Sequence, residues 1–272
     1  MGENELLDML RERAAQKMPE LDGLIGLRRT ILGTTPYLFR RPEELAELAL
    51  RPWYPLGGIV RMLQARYPKA RWGLVVRACD LRALVEMAKR QQVAPDRLYL
   101  LAVACTPEQA QQCYCQTPYP HLAGWPEGEL IGSAAPAGPK HPLLARYESL
   151  SLADRWAFWQ GQFAKCIKCY GCRNICPECF CEYCSLEDPL WVERGILDPP
   201  FPSFHLVRAI HMAARCVGCR QCETVCPAHI PLCILYELLR QDMAEQFGYQ
   251  PGEDLARQPP LALSLTEQLA GG

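Results

Sequence analysis

Sixteen of the 272 residues are cysteine, and most fall in runs whose spacing suits soft-metal chemistry. Cys166, Cys169, Cys172 and Cys176 precede Pro177, and Cys216, Cys219, Cys222 and Cys226 precede Pro227, so each run reads Cys-x2-Cys-x2-Cys-x3-Cys-Pro. Cys179, Cys181 and Cys184 follow the first run at once, Cys113 and Cys115 form a close pair, and Cys79, Cys105 and Cys233 stand apart. Thiolate is the ligand of iron–sulfur clusters and of zinc. Disulfides explain such a set poorly in a reducing compartment, so metal or redox chemistry is the leading account.

The two full runs have the spacing of a bacterial two-cluster ferredoxin. Three cysteines of each run wrap one cubane, and the fourth, carried on by three residues, reaches the other. The expected sets therefore cross. One [4Fe-4S] cluster takes Cys166, Cys169, Cys172 and Cys226, and the second takes Cys216, Cys219, Cys222 and Cys176. Proline after each fourth cysteine turns the chain away and removes an amide donor. One run alone would also fit zinc, but zinc ribbons use two Cys-x2-Cys pairs.

Eight cysteines remain. Cys233 lies on the apolar face of a helix expected from Pro231 to about Glu245 and reads as a small core residue. The other seven, Cys79, Cys105, Cys113, Cys115, Cys179, Cys181 and Cys184, are candidate ligands of a third cluster and even a fourth, held between a sheet edge and the segment after the first run. The competing reading is buried thiols or a small zinc site. Spacing leaves open which four of the seven would ligate.

The positioning elements follow from periodicity. Trp72 to Val76 and Leu98 to Ala104 are continuous apolar runs flanking the helix-periodic Leu81 to Lys89, a βαβ unit with buried parallel strands. Cys79 and Cys105 then sit just past the two strands, at the carboxyl edge where open α/β sheets bind ligands. Residues 3 to 17 and Leu152 to Phe163 read as helices, Pro42 to Leu50 as a helix with proline in its first turn, and Gly58 to Arg66 as another. Thr35 to Arg40 reads as extended. The expected class is α+β: a small α/β domain over 1–115, a Pro/Gly-rich connection over 116–148, a helix and two-cluster ferredoxin-like domain with a cysteine-rich insertion over 149–250, and a loosely held tail over 251–272.

Other features give weaker signals. Gly57-Gly58 and Gly23 to Gly26 are too sparse for a dinucleotide fingerprint and read as turns. Asp80 and Arg82 read equally as a pair that orients a ligand or docks a partner, or as a helix cap with a solvated arginine. His205, His211 and His229 read as surface or packed residues, His229 with an option to tune a nearby cluster, and Trp156 and Trp159 as core or partner contacts. A net charge of -1 gives no basic footprint for nucleic acid, and 49% hydrophobic residues exclude disorder. No apolar stretch reaches the roughly 18 residues of a membrane helix, and the amino terminus lacks a signal's apolar centre, so a cytoplasmic address is expected. No nucleophile elbow or phosphate loop is present, which leaves one-electron transfer as the chemistry.

Arg77-Ala78-Cys79-Asp80-Leu81-Arg82-Ala83-Leu84, the block Arg155 to Trp159 and His205 to Ile230 make the chain resemble, over roughly residues 22–250, the iron–sulfur beta-type subunits of the deazaflavin-dependent hydrogenase and formate dehydrogenase beta-subunit family. The resemblance implies an electron-transfer subunit of a multi-subunit anaerobic oxidoreductase (a hydrogenase, formate dehydrogenase or heterodisulfide-reductase-like complex), with flavin, molybdenum or tungsten, or hydrogenase subunits as partners. Some members bind a flavin; this chain is shorter than they are and lacks an extended flavin domain, which counts against one here. A flavin-containing reductase of a soluble carrier is the competing function, and a zinc-stabilised scaffold a third.

Overall fold

The computed structural model describes residues 2–122, 124–197 and 199–260, which fall into two units: Met1–Pro139 with Gly252–Arg257, and Lys140–Pro251 with Gln258 onward. The fold is α+β.

In the first unit the apolar alternation of the strands decides the architecture. In β4 (Trp72–Val76), after β1 (Gly23–Thr30), β2 (Gly33–Phe39) and β3 (Leu48–Ala49), Leu74 and Val76 face one side while Val75 faces the other. In β5 (Leu98–Val103), Leu98, Leu100 and Ala102 oppose Leu101 and Val103. Both faces must therefore be covered. Val60 of α2 (Gly57–Arg66) and Leu81, Leu84 and Val85 of α3 (Ala78–Lys89) cover one face. On the other, Leu6, Leu7, Leu10 and Ala14 of α1 (Glu3–Lys17) pack on Leu24, Val75, Leu101 and Val103. The strand order is β2-β1-β4-β5-β6, with β6 at Gly128–Ile131 and β3 also paired to β1. β1, β4, β5 and β6 run parallel, and β2 is antiparallel to β1. Leu100 is wholly buried in β5; Leu100→Ala should cost about 2–5 kcal/mol, read as a lower urea midpoint of this unit's transition.

Several elements differ from the sequence reading. Gly23 to Gly26, expected as a turn, opens β1, because Leu24, Ile25 and Leu27 are buried and Gly26 lets Leu48 and Phe39 approach where a Cβ would crowd them. Gly57-Gly58 starts α2. Pro42 to Leu50 forms a 3-10 helix, Pro42–Glu47, and then β3. The Pro/Gly-rich segment from 116 to 139 supplies β6 and belongs with the sheet, because pairing to β5 satisfies its backbone. The start of the expected tail is anchored to the same unit: the Gly252 N–H donates to buried Glu86 at 2.8 Å, and Leu255 packs on the core. Residues 261–272 of that tail lie outside the described residues.

The second unit is helical. α5 (Pro142–Glu148), α6 (Leu152–Phe163), α8 (Ser203–Met212) and α10 (Leu232–Phe247) surround two one-turn helices, α7 (Gly171–Asn174) and α9 (Gln221–Thr224), after α4 (Pro107–Gln112) of the first unit. The Ser151 side chain accepts from the Asp154 N–H and starts α6. The core gathers Trp159, Phe163, Met212, Ile230, Leu232 and Tyr236.

Candidate metal centres

The two ferredoxin-type runs fold alike. Lys168 and Gly218 take left-handed φ of 51° and 69°, and Tyr170 and Arg220 take 56° and 60°. The same backbone bonds recur fifty residues apart: Asn174 and Thr224 donate to the carbonyls of Tyr170 and Arg220, Cys176 and Cys226 to those of Arg173 and Glu223, and Cys179 and His229 to those of Cys176 and Cys226. A non-glycine residue in that conformation costs about 1–2 kcal/mol, and the loop shape carries that cost at Lys168, Tyr170 and Arg220. It aims amides at sulfur: the Lys168 N–H donates to the Cys166 thiol and the Gly218 N–H to Cys216.

The eight thiols line two cavities. One is lined by Cys166, Cys169, Cys172 and Cys226, closed by Ile230 and Leu232; the other by Cys176, Cys216, Cys219 and Cys222, closed by Val217 and Tyr236. Each takes three thiols from one run and one from the other. Burial pushes the Cys166, Cys172, Cys216 and Cys222 thiols up and Cys176 to about 12, so bare thiolates are disfavoured there and a bound cation would have to supply the compensating charge. The spacing bears on which metal fits. Sulfurs about 2.3 Å from a tetrahedral zinc lie within about 4 Å of one another. Among the described residues, the one group of three or more possible donors that all lie within 4.8 Å of one another is His141, Glu223 and Cys233. No three thiols of either cavity are grouped that closely, and their all-sulfur chemistry fits a cubane.

The seven spare cysteines divide between the units. Cys79 lies in the first turn of α3 just past β4, Cys105 just past β5, and Cys113 and Cys115 on the turn closing α4. They gather at one corner of the sheet: Cys105 and Cys115 act electrostatically on Cys79, and Cys115 and Cys113 on Cys105. Burial pushes the Cys79 thiol well up and Cys105 to about 11. Gly138 clamps this turn. Its N–H donates to the Cys115 carbonyl at 2.7 Å, and a Cβ on it would collide with the Ala110 carbonyl. Gly138→Ala should therefore displace Cys113 and Cys115 while the sheet stays folded, seen as changed thiol labelling of these two cysteines with unchanged strand hydrogen exchange.

Asp80 acts as a cap. Its carboxylate accepts the Arg77 N–H at 3.1 Å, and burial raises its pKa to about 7. Arg82 donates to the Thr117 carbonyl at 2.9 Å. This exposed bond ties α3 to the segment that follows Cys115.

In the second unit, Cys179, Cys181 and Cys184 line a separate cavity of about 570 Å³ with Arg173, Arg208 and His211. Arg208, missed in the sequence reading, is 5% exposed; it donates to the Cys172 carbonyl at 2.8 Å and to the Cys179 sulfur at 3.5 Å. The signal was there: Phe204, His205, Arg208 and Met212 fall on one stripe of α8, and a cation on a buried stripe needs an anionic partner. Cys233 packs beside the core but also meets Glu223 and Arg220, and burial raises it to about 12. His141 accepts the Leu143 N–H on Nδ1 at 3.1 Å, a capping bond unsuited to a metal-bound imidazole. His205 is buried and stacked on Phe163 at 3.8 Å, His211 lines the Cys179 cavity, and His229 closes the turn after Cys226. Trp159 is core, while Trp156 is exposed beside Phe201.

No protein-family model matches the chain. Over 103 residues, 38% of this chain and 27% of its relative, it is 41% identical to the F420-dependent formate dehydrogenase subunit beta of Methanocaldococcus jannaschii. Over 110 residues, 40% of this chain and 28% of the relative, it is 43% identical to the F420-dependent formate dehydrogenase 1 subunit beta of Methanococcus maripaludis. Part of this chain is related to formate dehydrogenase beta subunits. The matched stretch is shorter than the 22–250 span its motifs suggest, and spans just over a quarter of the length of those formate dehydrogenase subunits. Among the described residues, no helix is long and apolar enough to cross a membrane.

Proposed function

We propose that this chain is an electron-relay subunit of an anaerobic oxidoreductase complex of the formate dehydrogenase kind, working in the cytoplasm beside flavin-, molybdenum- or tungsten-, or hydrogenase-type redox subunits. Two [4Fe-4S] clusters are held by the crossed sets Cys166, Cys169, Cys172, Cys226 and Cys216, Cys219, Cys222, Cys176, and a third by Cys79, Cys105, Cys113 and Cys115. The observation that carries this reading is the pair of cavities, each lined by three thiols of one run and one of the other. The formate dehydrogenase beta relatives support the class of complex.

A bound cubane accepts and returns one electron with small reorganisation. The chain does the rest. Its thiolates would hold the clusters, the Lys168 and Gly218 amides donate to the Cys166 and Cys216 sulfurs, and Ile230, Leu232 and Tyr236 give the cavities apolar walls. Arg208 adds a buried positive charge beside Cys172, which favours the reduced, more negative state.

The test is anaerobic reduction of the purified full chain with dithionite, desalting to remove the excess, and then addition of oxidised methylene blue as acceptor. The expected result is broad thiolate-to-iron absorption that bleaches on reduction and returns as the dye is decolourised, with no flavin in an acid extract. Absorption that does not respond, or an extractable flavin carrying the redox change, would overturn the relay in favour of a scaffold or a flavin reductase.

A further inference from the structure

We propose that Cys179, Cys181 and Cys184 hold a separate metal–sulfur cluster as a three-thiolate tripod, leaving one iron open to a small anionic donor, a thiolate or a carboxylate, that enters their cavity. The inference rests on the iron–sulfur reading above and goes beyond it by adding a site of ligand binding.

The division of thiols leads there. Each ferredoxin-type cavity has its four cysteines, and the sheet corner has four of its own. Three remain, on one short segment in Cys-x-Cys-x2-Cys spacing, and all three line one cavity. They are not grouped for a single ion, since no three thiols lie within 4.8 Å of one another among the described residues. Two guanidinium groups already address them: Arg208 donates to Cys179 at 3.5 Å and Arg173 donates to Cys184. A buried guanidinium on sulfur matches a thiolate, the form a metal holds.

A cubane needs four donors. With three cysteines, the fourth iron faces the cavity, whose volume of about 570 Å³ lies in the range of small-molecule sites. An iron with an exchangeable position is a Lewis acid that binds and polarises an anionic donor. Arg215, held over the Phe180 ring at 5.2 Å, lines the same cavity with Arg173 and Arg208, together with the carboxylates of Glu178, Glu182 and Glu187. His211 also lies on the wall.

An open iron is the one lost first on oxidation. With ferricyanide as the one-electron acceptor, [4Fe-4S]2+ becomes [3Fe-4S]+, releasing one Fe2+ and giving one electron to ferricyanide. Anaerobically prepared full chain should release about one iron per molecule under stoichiometric ferricyanide and develop the EPR signal of an oxidised three-iron cluster. Cys181→Ala, at an exposed position where the fold tolerates it, should abolish that signal and lower total iron by about four; Cys79→Ala should lower iron equally and keep the signal. Cyanide should perturb the reduced spectrum of the parent protein and not of Cys181→Ala. Unchanged iron in Cys181→Ala, or a signal lost in both variants because one cluster draws on both groups of thiols, would overturn the tripod and leave the relay standing. Protein with no iron or sulfide at all would remove both.

Discussion

Stripping iron and sulfide from this protein under nitrogen should unfold Lys140–Pro251 and leave the six-stranded sheet intact. The core of the second unit is built against the candidate ligand thiols. α7 and α9 have four residues each, far below the length at which a helix persists alone. Its main core packs against Cys166, Cys172, Cys176, Cys216, Cys222 and Cys226, so an empty centre would remove the surface on which Phe163, Met212 and Ile230 rest. Left-handed Lys168, Tyr170 and Arg220 add a conformational cost that ligation would help to offset. Where ligands converge only in the folded chain, metal binding is folding free energy, on the order of 10 kcal/mol for structural sites. The sheet, by contrast, is covered on both faces by side chains that need no metal. Limited proteolysis and hydrogen exchange check this: cleavage should fall within 140–251 while β1, β4 and β5 stay protected. Stripped protein that resists protease throughout would show that the clusters are not structural.

Glu86→Ala should destabilise the first unit by about 3–5 kcal/mol. The side chains of Glu86 and Lys89 are wholly buried and meet at 2.8 Å, Arg90 meets the second carboxylate oxygen at 2.6 Å, and the Gly252 N–H donates to the same group. Removing the carboxylate strands buried positive charge and releases the Gly252–Arg257 return that packs Leu255 on the core. Glu86→Gln keeps the Gly252 acceptor and should lose less. Urea unfolding read at strand amides measures both; a loss under about 1 kcal/mol for Glu86→Ala would mean that this carboxylate is dispensable.

What could be read in advance was local. Cysteine spacing paired the thiols of the two runs, and the alternation of Leu74, Val75 and Val76 marked a strand buried on both faces. The β1–β2 hairpin was hidden because Gly23, Gly26, Gly33 and Pro36 interrupt it with residues that disfavour strands, and their fit depends on Leu48 and Phe39 from elsewhere. β6 is four residues among prolines and exists only through its pairing with β5. The stripe of α8 marks Arg208 as buried, but its reach to Cys172 and Cys179, like the division of the spare thiols into four and three, is set by tertiary packing.

The most direct measurement is the iron, acid-labile sulfide and zinc content of the full chain purified without oxygen. Iron and sulfide in equal amounts, at least about eight of each per molecule, are the expected result, since two cubanes require that many. Zinc in place of iron with no sulfide released by acid would contradict the account at its base.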